Sequence, residues 1–344
     1  MNTRMAIEMA AEWVRNVAAR MMGYAGAYLS GSALERAPEA EWPEDSDVDV
    51  VLVFDGVLPG KIGKLRWQGV LLEPTVMEKR VFEDFDNVMR THYLAWGLHG
   101  GQVLDDPQGW LTPLAQRVCA EYLHEKWLRA RVASTAALAR RNLDGISSAQ
   151  TPEDRLMSCG FGPSCIAFPI LAAAGRNCTV RKRIPAARAA LEDHGEATFF
   201  PQLERALGCE EMSQEALRAH LSALEQTFDI ASRTDGPSRS YAFRSDIRPE
   251  ARDVAIDGCR KLLEGDHPTD AVFWMMATFA RCQIVLRMDD PALYAQRLPA
   301  LQSFAAALGV DTPEKALQRQ QLAQTILAQT EDVAGRIVKR TALD

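Results

Sequence analysis

Apolar residues at Met5, Met9, Trp13, Val17 and Met21 recur every fourth position, and this spacing predicts an amphipathic helix over residues 4–22. The period then shortens. Tyr24-Ala25-Gly26-Ala27-Tyr28-Leu29-Ser30 and Val50-Val51-Leu52-Val53-Phe54 read as strands. Lys64-Leu65-Arg66-Trp67-Gln68 and Val70 to Met77 predict a hairpin that turns near Gly69. Helical spacing returns from Glu78 to Gly97, so that segment is expected to pack on one face of the sheet. Beyond Leu114 the strand signals stop. Helical patterns run over 114–141, 155–174, 184–191, 214–231, 250–263, 270–288, 298–308 and 313–338. The fold class predicted is α+β: a small mixed-sheet domain over 1–113, then an all-helical region. The helical part divides into 114–231 and 250–344, separated by a Gly-, Pro- and Ser-rich loop or linker at 232–249. The stripe Val272, Met275, Met276 and Phe279 has helical spacing and belongs in a core.

The chain of 344 residues is long enough for two domains and a sizeable core. Its net charge of −7 argues against a general nucleic-acid binder, which needs a basic footprint. Glu8, Glu12, Arg15 and Arg20 interrupt the N-terminal apolar positions, unlike a signal peptide. The longest apolar tract, Cys165 to Gly175, is too short to span a bilayer. The seven cysteines form no CxxC pair and no metal-like spacing with the six histidines, which fits buried thiols in a reducing cytoplasm. His92, His99, His124, His194, His220 and His267 lie apart and receive no role.

The chemistry concentrates in Gly31-Ser32 and, after fourteen residues, Asp47-Val48-Asp49 at the head of an apolar strand. Side chains alternate along a strand, so Asp47 and Asp49 share a face. Two like charges there are costly unless a cation offsets them, and hard oxygen donors suit Mg²⁺. Gly31, at a strand end, permits close backbone approach to a ligand, and Ser32 offers a hydroxyl and an N–H to phosphate oxygens. Together they imply chemistry on a nucleoside triphosphate.

This arrangement resembles the core motif of the polymerase-β-like nucleotidyltransferase superfamily, which normally adds a third carboxylate from a later strand. Glu73, within Leu72-Glu73-Pro74-Thr75-Val76, fits that place, and this pattern is closest to the aminoglycoside adenylyltransferases. Glu78 is the competitor, but alternation puts Thr75 and Met77 on the face of Glu73 and Glu78 on the other. Pro74 belongs only at a sheet edge or bulge. Gly101 to Pro107 matches an edge strand that commonly closes the catalytic domain. The fourteen-residue loop is a few residues longer than usual in the superfamily.

The resemblance implies two Mg²⁺ ions held by Asp47 and Asp49, and transfer of a nucleoside monophosphate from ATP or another NTP to a hydroxyl, with release of pyrophosphate. Glu73 acts either as a third metal ligand or as the base that takes the hydroxyl proton. By resemblance to the helix–Gly–basic segment of the adenylyltransferases, Lys182 would reach the phosphates, with Arg181 and Arg183 as alternatives. The site is expected in a cleft between the catalytic domain and the helical region. The acceptor implied is a small hydroxylated molecule, with an aminoglycoside-like polycation as the leading candidate and antibiotic resistance as a corresponding role. The acids Glu35, Glu39, Glu41, Glu44 and Asp45 of the long loop could draw such a cation or simply keep the loop soluble. The alternative reading is a regulatory nucleotidyltransferase-fold protein, either non-catalytic like an antitoxin or transferring AMP to protein.

Overall fold

The computed structural model describes residues 1–343, which divide into two compact units. The first comprises Met1–Ser134, Ala172–Thr179 and the segment from Val338 onward. The second comprises Thr135–Leu171 and Val180–Ile337.

In the first unit, helix α1 (Thr3–Asn16) starts at Asn2, whose side-chain oxygen accepts the Met5 N–H at 3.0 Å. Its buried face is Ala6, Ala10, Trp13 and Val14 rather than the methionine stripe, and Met5 is 44% exposed. Small alanines let the helix approach the sheet closely, which displaces the longer methionines to its flanks.

The sheet contains β1 (Tyr24–Leu29), β2 (Val48–Phe54), β3 (Leu65–Trp67), β4 (Val70–Glu78) and β5 (Val103–Asp105), in the order β3-β4-β2-β1-β5. β2 and β4 are parallel, and the other pairs are antiparallel. Val48, Val50, Leu52 and Phe54 pack on the α1 side. Val51 and Val53 pack on the other side with Phe82, Val88 and Leu94. Burial on both faces is why β2 reads as a continuous apolar run rather than an alternating one.

The second face is covered by α2 (Phe85–Arg90), α3 (His92–His99) and α4 (Leu111–Glu121). The single helical pattern expected over 78–97 is in fact a short turn, Lys79–Phe82, followed by two helices. Asp84 makes the break by accepting the Asn87 N–H and so capping α2. The chain first passes from one unit to the other within α5 (Glu125–Asp144).

The rest of the chain is helical: α6 (Pro152–Ser164), α7 (Ala167–Ala173), α8 (Arg183–Asp193), α9 (Phe200–Leu207), α10 (Gln214–Ala231), α11 (Gly258–Leu263), α12 (Val272–Asp289), α13 (Pro291–Ala307) and α14 (Pro313–Thr341). The protein is therefore α+β, a small mixed sheet followed by helices. α12 is the axis of the second unit. It is buried on every side from Val272 to Gln283, and α6, α10 and α13 pack around it. Such a helix is mostly apolar because it has no solvent face, with Thr278, Arg281 and Gln283 as its buried polar positions. The stretch 232–249 is fastened to its end, where Asp289 accepts from the Ser238 N–H at 2.8 Å, the Ser238 hydroxyl at 2.6 Å and the Thr234 hydroxyl at 2.9 Å.

Among the described residues, two stretches, Pro152–Ala173 and Pro268–Asp289, are long and apolar enough to cross a bilayer. The most apolar part of each is 83% buried inside the protein, as befits interior helices.

Candidate acidic metal and nucleotide site

Four strands contribute to one row across the sheet. The Ser30 N–H, just past β1, donates to the Asp49 carbonyl at 3.0 Å. Asp49 stands opposite Glu73 in the parallel β2–β4 pair. β3 pairs with β4 from Leu65↔Leu72 to Trp67↔Val70, and one further step along that register places Lys64 opposite Glu73. Gln68 and Gly69 hold the register. They form a two-residue turn with φ of 48° and 87°, the left-handed geometry that matches strand twist in tight hairpins. Pro74 lies two residues beyond Leu72, the last β4 residue paired with β3, where β4 is laddered only to β2, so its missing N–H is tolerated.

Asp47 immediately precedes β2. Oxygens of Asp47, Asp49 and Glu73 lie within 4.8 Å of one another. Glu78 pairs in register with Phe54 at the far end of β4, where it meets Arg80 at 2.7 Å. The ammonium of Lys64 donates to both Asp47 Oδ2 and Glu73 Oε2, and its side chain is only 6% exposed.

The electrostatics follow from this crowding. Burial, then the charges of Asp47 and Glu73, push the Asp49 carboxyl well above the usual aspartate range, with Lys64 opposing them. Burial raises Glu73 to about 7 even though the Lys64 charge pulls the other way. Lys64 is itself disfavoured as a cation by burial, but Asp47 and Glu73 outweigh that and hold its pKa above the ordinary lysine value.

Gly31 closes the row from the β1 side. Its φ is +67°, and a Cβ there would lie 1.7 Å from Asp49 Oδ2 and 2.6 Å from its Cγ. Only glycine lets the backbone pass so close to that carboxylate. Gly31→Ala is expected to lower stability by at least about 1–2 kcal/mol through left-handed strain alone. It would also push Asp49 out of the row, so divalent-ion affinity should fall at least tenfold. Thermal unfolding and a Mn²⁺ titration of the variant check both effects. Ser32 follows in the short turn Gly31–Glu35.

Comparison with family models, curated proteins and solved structures finds no match for this chain. The residues themselves fit a divalent cation on three counts. The donors are all hard oxygens, the type Mg²⁺ prefers. Gly31 keeps the space beside Asp49 free of a side chain. A cationic group, the Lys64 ammonium, already bridges two of the three carboxylates.

Asp47, Asp49, Glu73, Gly31 and Ser32 belong to the first unit, whereas Arg181, Lys182 and Arg183 belong to the second. Arg183 is buried. Its guanidinium donates to the Val180 carbonyl at 2.9 Å and the Ser164 hydroxyl at 3.1 Å, and lies 4.3 Å from the Phe273 ring centre. That charge serves the interior of the helical unit, and Arg183 is left out of the function proposed below. Arg181 packs over Gly258, where a Cβ would meet its guanidinium at 1.8 Å. Lys182 stands at the N-terminus of α8.

Sequence reasoning missed Lys64. The signal was available: a two-residue turn at Gln68-Gly69 pairs Trp67 with Val70, and counting outward by three pairs Lys64 with Glu73. The long loop is tied to the N-terminus of the chain by hydrogen bonds. Thr3, Arg4 and Trp42 N–H groups bond to Ala40, Pro38 and Met1 carbonyls, and Glu39 pairs with Arg4 and Asn2. A surface cavity of about 750 Å³ between β5 and α4, lined by Val103, Asp105, Thr112 and Cys119, contains none of the acidic-site residues. It holds no grouping of side chains comparable to the carboxylate row.

Proposed function

We propose that this chain is a Mg²⁺-dependent nucleotidyltransferase that moves a nucleoside monophosphate from an NTP, ATP being the leading candidate, to a hydroxyl of a small molecule. The observation that carries this reading is the meeting of Asp47, Asp49 and Glu73 oxygens within 4.8 Å, beside Gly31, at the end of the parallel β2–β4 pair. Divalent ions bound there would neutralise the triphosphate and stabilise charge on the attacking and departing oxygens. Asp47 and Asp49 would hold those ions. Glu73, whose carboxyl is poised near neutrality, is suited either to complete the ligand set or to accept the proton of the acceptor hydroxyl. The Ser32 hydroxyl and the open backbone at Gly31 would receive phosphate oxygens. Lys182 and Arg181 are the remaining candidates for further phosphate contacts.

The acceptor class follows from charge. A net charge of −7 suits a cationic or neutral small molecule better than a nucleic acid, and an aminoglycoside-like polycation remains the leading candidate. Glu39 is paired and Asp45 is buried, so the pull of the long loop on such a cation would rest chiefly on Glu41 and Glu44. All seven cysteines are free thiols, five of them buried, which supports a cytoplasmic setting.

The test is pyrophosphate release from ATP and Mg²⁺ across a panel of aminoglycosides, lincosamides and spectinomycin-type compounds, preceded by a thermal-shift titration with ATP and Mg²⁺. A Mg²⁺-dependent shift and turnover with at least one hydroxylated amine are expected. Protein that binds ATP but is silent across the panel sinks the aminoglycoside reading. Failure to bind any NTP with Mg²⁺ sinks the reaction type.

A further inference from the structure

Lys64 is seated on carboxylates that would hold a divalent ion. Its ammonium bridges Asp47 Oδ2 and Glu73 Oε2, two of the three carboxylates assigned above to divalent ions, and the side chain is almost wholly withdrawn from solvent. An ammonium and a divalent ion compete for those oxygens. Mg²⁺ needs its ligands at about 2.0–2.1 Å in near-octahedral order, so an ammonium seated on two of these oxygens leaves it fewer donors in good geometry. Repulsion between the two cations adds to that conflict.

The segment that delivers Lys64 is built to yield. From Asp55 to Lys64 the chain returns from the far end of β2 to the acidic row without forming regular structure. Gly56 and Gly60 have open space around them, since a Cβ at either meets nothing within 4 Å. Gly63, next to Lys64, has φ of 75°. Val57 and Leu58 are 72% and 43% exposed, and Ile62, two residues before Lys64, is the apolar side chain of this segment that packs against the core. β3, which follows, is only three residues long. Few packed contacts and a glycine-rich backbone describe a segment whose local opening is easy.

We propose that Lys64 is an internal counter-cation of the acidic row, holding Asp47 and Glu73 together when no divalent ion is bound and withdrawing with the 55–64 segment when one enters. The inference rests on the metal-binding reading of Asp47, Asp49 and Glu73. It gives that site a second state: metal entry exchanges one cation for another and frees a lysine beside it. Lys64 is thus a positioning residue that sets how tightly the site takes its ion.

The experiment compares the full-length wild type with Lys64→Met, measuring free Mn²⁺ by electron paramagnetic resonance. Lys64→Met removes the competitor but keeps the side-chain length, so Kd for Mn²⁺ should tighten at least tenfold. Its metal-free Tm should fall, and saturating Mn²⁺ should restore it. Wild-type protein gives an independent reading that requires no variant. Amine-reactive labelling followed by mass spectrometry should find Lys64 protected without metal and reactive with saturating Mg²⁺. Wild-type Mn²⁺ binding that Lys64→Met weakens or leaves unchanged overturns the inference while leaving the metal site intact. Lys64 that stays protected in the metal-loaded wild type overturns it equally. Absence of Mn²⁺ binding in both proteins overturns the metal site, and this inference with it.

Discussion

Asp49→Asn is expected to abolish divalent-ion binding and nucleotidyl transfer while leaving the protein at least as stable as the wild type. Asparagine is nearly isosteric and keeps a carbonyl oxygen, but it removes the charge that is least favourable in the folded row. Loss of even a group that merely supports a metal ligand weakens metal binding by about 10–100-fold, and removing a ligand should exceed that. The stability change runs the other way. Burial and the neighbouring charges of Asp47 and Glu73 raise the Asp49 pKa, so the folded state favours its protonated form. That contribution to wild-type stability is complete below the ordinary aspartate pKa and is lost as pH rises through the raised one. Glu73, at about 7, adds in the same direction. Wild type and Asp49→Asn should therefore unfold at similar temperatures near pH 4. The variant should gain on the wild type as pH rises toward 8 in the absence of metal. Mg²⁺ at pH 8 should reverse the order, raising the Tm of the wild type alone. Thermal scans at several pH values, with EDTA or with Mg²⁺, check all three statements. A variant that loses stability at pH 8 with EDTA would show that the Asp49 charge is compensated in the folded protein.

The largest stability effect is expected in the helical unit, at the buried pair of Arg188 and Asp270. The guanidinium donates in parallel to both carboxylate oxygens, at 2.8 and 2.7 Å, and both side chains are more than nine-tenths buried. Arg188 also lies 4.1 Å from the centre of the Phe200 ring, so it cannot swing out to water without leaving a gap. Burial holds the Asp270 carboxyl above the usual aspartate range even with the arginine beside it, so taking this pair out of water carries a substantial penalty. Asp270→Ala keeps that penalty for Arg188 and removes its compensation, and should cost about 3–5 kcal/mol. Replacing both partners by apolar residues of similar volume, Arg188→Met with Asp270→Leu, should recover most of the loss. Urea denaturation of the two variants distinguishes an orphaned charge, which the double variant repairs, from a packing defect, which it does not.

The parts of this protein that are legible in its sequence depend on short-range order. The apolar run of β2, the turn at Gly69, the apolar stripe of α12 and the shift from strands to helices are encoded within a few residues, because backbone periodicity fixes which side chains share a face. The same holds for the choice of Glu73 over Glu78, which required only counting by two along β4. Helix boundaries were less legible. Asp84 splits one helical pattern into a turn and a helix through a single cap, and α1 buries alanines in place of its methionines because close approach to the sheet favours the smaller side chain.

Only the tertiary structure decided which charges meet. β4 lies between β2 and β3, so Asp49, Glu73 and Lys64 share one row although they come from separate stretches of chain. No local period specifies the register of the parallel β2–β4 pair, because the chain between those strands is long and irregular. Arg183 and Lys64 illustrate the same limit from opposite directions. One stands in a conspicuous basic run and is buried among the aromatic rings of the helical unit; the other drew no notice and sits between two carboxylates. Long charged side chains reach several ångströms from the backbone, and where their charge comes to rest is set by neighbours distant in sequence. The sequence therefore determined the strands and the acids they carry, while packing determined which cation those acids face.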